Sequence, residues 1–195
     1  MDKIVSDLVS GLGRLFKNKV GQKVTNAINN KTKVYEFQSL PLSVEELKSF
    51  PEAALTDVYA VAALSLLALT RFKADREASI AMLNFLKGPE PLTPMGLQQI
   101  SDRFMDGKFY KVNSFFEGAT PANNYTPATP YKVKVTSTPY SFDNENWATL
   151  YLHSGGADNP RPVKLRKKPS TGQWFLVEIQ YLGDIRTPVA ADKWA

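Results

Sequence analysis

The single histidine of this chain, His153, stands next to Ser154 with Asp158 four residues on, the three residue types of nucleophilic acyl transfer. Their spacing argues against that chemistry. His153 finishes a run of period two, and neighbours on a strand point to opposite faces, so imidazole and hydroxyl cannot pair while the strand continues. No G-x-S-x-G elbow is present, and no catalytic residue is assigned. Cysteine is absent, which removes thiolate nucleophiles, thiolate metal sites and disulfides. Asp143-Asn144-Glu145-Asn146 is rich in oxygen but lacks the spacing and glycine of a calcium loop, and it reads as a turn between strands. Gly155-Gly156 follows a strand without the surroundings of a phosphate or dinucleotide loop. Neither a metal nor a cofactor is expected. Asp57, Glu178 and Asp184 could supply a glycosidase-type carboxylate pair, yet nothing in the order of residues brings two of them to the ~5–9.5 Å required. An enzyme using carboxylates therefore ranks third among the readings.

Binding chemistry is better represented. Lys132, Lys134, Lys164 and Arg166 occupy the outward set of alternating runs, and Trp147 and Tyr151 share that set. Cations interleaved with aromatics form a candidate anion-binding face of the kind that holds single-stranded nucleic acid. The solvated outer face of a half-buried sheet explains the same pattern and is preferred, so nucleic acid is not the expected partner. Asp158 and Arg161 form a candidate loop rim with Asp184 and Arg186 of the tail, through ion pairs that would fasten the C-terminus. A third candidate lies at the start of the chain. Ile4, Leu8, Leu12, Phe16, Val20 and Val24 recur at intervals of four, with Leu15 beside them, and mark an amphipathic interaction helix over 1–30.

That helix carries the charge of the protein. Lys3, Arg14, Lys17, Lys19, Lys23, Lys31 and Lys33 face only Asp2 and Asp7 within the first 33 residues, which accounts for the whole net charge of +5. The other 162 residues hold 17 basic and 17 acidic side chains, so the body is neutral and does not read as a nucleic-acid binder. Gly11, Gly13 and Gly21 weaken the helix, and its apolar stripe needs a cover. The protein's own body, a second copy or partner helix, and a membrane surface attracted to the lysines are the three covers available. Asp7 interrupts the first apolar cluster, which speaks against a signal peptide, and a cytoplasmic protein, with peripheral membrane attachment as an alternative, is expected.

Behind these candidates stands Val58 to Leu69, where Ser65 and the hydroxyl of Tyr59 are the only polar side-chain groups. A helix apolar all round must be covered on every side, and this one is too short for a bilayer, which takes ~20 residues. It is expected as the buried centre of an α+β domain. Residues 31–42 lack a periodic run and read as a linker. The domain then spans 43–195. Ser43 with Glu46 forms a capping box, Asp75 caps a helix reaching Leu86, and Thr93-Pro94 opens another ending at Gly107. A loop over 117–130 with three prolines separates this cluster of about four helices (43–107) from four alternating runs over 131–181, with a tail over 182–195. Lys168 to Gly172 forms a hairpin loop between the last two, so a four-stranded antiparallel meander is expected, with the helices on its apolar face.

The run Ser154-Gly155-Gly156-Ala157-Asp158-Asn159-Pro160-Arg161-Pro162, then Thr171-Gly172-Gln173-Trp174-Phe175-Leu176 and Asp184-Ile185-Arg186, resembles the C-terminal part of an uncharacterised bacterial domain family of the gut Firmicutes type. Leu55-Thr56-Asp57 with Ala60-Val61-Ala62-Ala63, Met82 to Gly88, and Phe116 to Pro121 are similar to it as well. The resemblance covers roughly residues 35–195 and implies a single domain without assigned activity. The leading expectation is a non-enzymatic protein-interaction module whose N-terminal helix mediates self-association or partner docking. A peripheral membrane protein anchored by the same helix is the alternative.

Overall fold

The computed structural model describes residues 31–194. Expectations that fall on residues 1–30, the interaction helix with Ile4, Leu8, Leu12, Leu15, Phe16, Val20 and Val24 among them, lie outside the described residues.

Helix α2 (Val58–Thr70) is buried from Val58 through Leu69. Asp57 starts it, its Oδ1 accepting the Tyr59 N–H at 3.0 Å. Inside the core its two polar side chains are satisfied: Ser65 Oγ donates to Ala62 O at 2.7 Å and lies 3.1 Å from the Tyr181 hydroxyl, and Tyr59 donates to Ser137 Oγ at 2.8 Å. Around α2 stand α1 (Val44–Ser49), α3 (Arg76–Lys87), α4 (Pro94–Arg103) and the single turn α5 (Tyr110–Asn113). The caps read from sequence are in place, with Ser43, Asp75 and Thr93 accepting from Glu46, Ala78 and Gly96. Among the described residues the helices number five, and none is long and apolar enough to cross a membrane.

The sheet has five strands, not four: β1 (Thr32–Phe37), β2 (Tyr131–Thr136), β3 (Trp147–Leu152), β4 (Arg161–Lys167) and β5 (Trp174–Ile179), antiparallel and in sequential order. The extra strand comes from the stretch expected as a linker. β1 escapes the alternation test because its inward positions are Lys33, Tyr35 and Phe37, and the first two are satisfied by a carboxylate instead of an apolar core. Its partner lies about a hundred residues away, with Thr32 opposite Thr136 and Phe37 opposite Tyr131. Val133, Val135, Ala148, Leu150, Leu152, Val163, Leu165 and Leu176 are buried on the helix side. Lys132, Lys134, Trp147, Thr149, Tyr151, Lys164 and Arg166 alternate onto the other face, half-buried or exposed.

Lys33 Nζ and the Tyr35 hydroxyl both reach Asp57 Oδ2, at 2.6 and 2.7 Å, so one carboxylate joins the edge strand to the central helix. Burial acts to raise the Asp57 pKa, but the bonds from Lys33, Tyr35 and the Tyr59 N–H outweigh it and bring it below the ordinary carboxylate range. A depressed carboxylate stabilises the fold above its unfolded-state pKa and loses that contribution as pH falls through the folded one. Wild-type protein is therefore expected to lose stability below about pH 4. Asp57→Ala should cost about 1–2 kcal/mol at pH 7 through the lost cap and flatten that acid limb. Urea midpoints of both proteins at pH 7 and pH 3 measure this. Equal pH slopes would remove Asp57 from the acid response.

Candidate functional site: a cleft along the edge strand

β5 closes the sheet on the side away from β1 and has no strand beyond it. Beside it α3 ends at Gly88, whose φ of +59° suits glycine and whose N–H caps the carbonyls of Asn84 and Phe85. Asn84 Oδ1 accepts the Leu92 N–H at 2.8 Å, which shapes the connection and sets where Thr93 starts α4. Helix α4 fully buries only Ile100, so it stands off from the sheet. The result is a cleft of about 680 Å³ between α4, the end of α3 and β5. That size is typical of ligand sites, ~300–1,000 Å³.

Leu83, Ile100, Leu176 and Leu182, all buried, form the apolar floor. Met95, 74% exposed, sits on the rim. Along one wall runs the chain from Leu176 to Gln180. A register shift opposite Lys164 and Leu165 leaves Val177 without a partner on β4, and its carbonyl accepts Lys87 Nζ at 2.8 Å.

The charges of the lining differ in how they are engaged. Glu90 lies 3.5 Å from Arg166, Asp102 accepts from Gln98 at 2.7 Å, and Glu178 accepts from Lys164 at 3.0 Å and Gln180 at 2.7 Å. Its bond from Gln180, followed by that from Lys164, lowers the Glu178 pKa. Lys87 and Arg103 have no carboxylate within 4.0 Å among the described residues. Burial lowers the Lys87 pKa, opposed by the more distant charge of Glu90. The charge left without a counterion in the cleft is therefore positive.

The cationic sheet face expected from the sequence is assembled, but its charges are largely answered. Lys132 pairs with Glu36 at 3.3 Å, Lys164 with Glu178 and Arg166 with Glu90. The Arg166 guanidinium also lies over the Trp147 ring, 5.0 Å from its centroid. Lys134 sits beside His153 and helps, after burial, to lower the histidine's pKa. The loop rim is also assembled: Arg186 Nη1 lies 2.8 Å from Asp158, and Arg161 donates to the Asp184 carbonyl at 2.8 Å with the carboxylate at 3.8 Å. These contacts tie the tail to the β3–β4 turn, and the Tyr125 hydroxyl adds a bond to Arg186 O.

His153 and Ser154 diverge as their strand positions require. His153 Nε2 lies 3.2 Å from Thr136 Oγ1, whereas Ser154 donates to Ser114 Oγ at 2.8 Å. Asp57, Glu178 and Asp184 each have their own cationic partner in separate parts of the fold. Among the described residues no three histidine or carboxylate side chains gather closely enough to hold a metal ion. Lys87, Met95 and Arg103 were not singled out by sequence. The available signal was the narrow apolar side of α4, which predicts a loosely covered helix; the register shift in β5 leaves no mark in composition.

Fold and cleft together define a two-layer α+β domain with an open groove along the last strand of its meander. The chain belongs to the family described as domain of unknown function DUF6935, matched over residues 39–189. The match takes in α1 through β5 and begins just after β1. No curated protein and no solved structure matches the chain.

Proposed function

We propose that this protein is a non-enzymatic protein-interaction module. The cleft carries the reading: an apolar floor, a rim with hydrogen-bonding groups and one side of an edge strand meet in a single groove. Such a groove offers main-chain pairing and side-chain pockets at once, the combination used in peptide recognition by strand addition. The basic stripe of Ile4, Leu8, Leu12, Leu15, Phe16, Val20 and Val24 supplies the second contact element, for self-association or partner docking, on the strength of its sequence pattern.

The stripe is tested in the full chain by combining Leu8→Asp, Leu12→Asp and Phe16→Asp. The wild type is expected to show a concentration-dependent mass above that of one chain in light scattering, and the triple variant a single-chain mass. Monomers in both cases, with wild type pelleting on anionic vesicles, would assign the stripe to a membrane surface. Monomers without pelleting would end its role in association.

A further inference from the structure

We propose that the cleft between α4 and β5 docks an extended peptide segment of a partner protein, one that alternates apolar and acidic residues and lies along β5 from Leu176 to Gln180. This rests on the interaction-module reading and names the partner's chemistry.

Three observations carry it. The wall of the cleft is itself a strand edge of five residues, about 16 Å at ~3.3 Å per residue, which matches an extended segment of similar length. Successive residues of such a segment point to opposite sides, so alternate side chains meet the floor at Leu83, Ile100 and Leu176 while the others face the rim. The rim selects acidic side chains, because Glu90, Asp102 and Glu178 are engaged elsewhere whereas Lys87 and Arg103 lack carboxylate partners among the described residues. Lys87 holds the Val177 carbonyl, a lysine guard of the kind that keeps edge strands from indiscriminate pairing. A segment bearing a carboxylate offers the ammonium a better partner and releases that carbonyl for the incoming backbone. Docking is thus coupled to the partner's charge.

The test uses the full chain and a fluorescein-labelled octapeptide alternating valine and glutamate, read by fluorescence polarisation. Binding tighter than about 100 μM is expected, a modest affinity for a short linear segment. Arg103 is exposed, so Arg103→Glu should leave the melting temperature unchanged and weaken binding about tenfold. The same peptide N-methylated at alternate residues should lose binding, since it cannot complete a ladder with β5. No binding up to about 1 mM, equal binding of the N-methylated peptide, or equal binding of a valine–lysine peptide would each overturn the proposal. Displacement by equimolar decanoate would assign the cleft to a small amphiphilic anion and overturn it too. A chain that stays monomeric yet binds the peptide as described would keep this inference while removing the stripe from the interaction reading.

Discussion

Leu66→Ala is expected to destabilise the folded chain by about 3–5 kcal/mol, the range for truncating a leucine in a core that cannot collapse. Leu66 has no exposed surface and sits in the middle of α2, a helix covered by α3 on one side and by β2, β3 and β5 on another. Neighbours on every side hold the space open, so the cavity term adds to the lost transfer energy. At roughly 2–4 °C per kcal/mol for a chain of this size, the melting temperature should fall by about 10 °C. Met95→Ala, on a rim residue of similar volume, should stay within about 0.5 kcal/mol of wild type. Thermal melts of the two variants side by side make the comparison. A loss below about 1 kcal/mol for Leu66→Ala would mean that α2 is not the enclosed centre of the domain.

Gly155→Ala is expected to cost about 3 kcal/mol, at the upper end of overpacking by a single methyl group. A Cβ at this position would lie 2.0 Å from the carbonyl oxygen of Ala119, an atom of the main chain that no rotamer change can move aside. The Gly155 N–H donates to Ser114 O at 2.8 Å, and Ala119 is itself buried. The β3–β4 turn and the segment from Ser114 to Ala119 are therefore locked face to face. Relief requires the two backbones to part, which weakens the Ser154–Ser114 bond as well. A urea midpoint close to that of wild type would show that the turn can move away freely. Gly172→Ala is the contrast: its φ is +73°, but a Cβ there meets nothing within 4 Å, so only the backbone term of about 1 kcal/mol should appear.

The elements of the body that were legible before any coordinates share one property: the signal sits within a few consecutive residues. Ser43, Asp57, Asp75 and Thr93 cap helices because a short polar side chain next to an apolar run can reach a free backbone N–H two or three positions on. The runs from Tyr131 onward alternate because one side of the sheet is buried under α2 and its neighbours. β1 failed that test for a reason visible in its contacts. Lys33 and Tyr35 point inward but are satisfied by Asp57, so the strand's buried side reads as polar until the helix cap is known.

The candidate sites divide along the same line. The ion pairs of Asp158 with Arg186 and Arg161 with Asp184 were anticipated because oppositely charged residues flank a turn and a tail. The cationic face was anticipated as a set of lysines, but its neutralisation was not, since Glu36, Glu90 and Glu178 come from three different elements. The cleft was missed altogether. It depends on how far α4 stands from β5 and on a one-residue register shift at Val177, and both follow from packing between segments some eighty residues apart.

By itself the sequence determined that an all-apolar helix must be enclosed, that helices precede an antiparallel meander, and that the positive excess belongs to the first 33 residues. These follow from local composition and period, which act over a turn of helix or a pair of strand residues. Only the tertiary structure decided that Thr32–Phe37 completes the sheet, which cations keep a free charge, and where a groove opens beside β5. Strand pairing, charge neutralisation and concavity are properties of segments distant in the chain, and no short stretch of residues carries them.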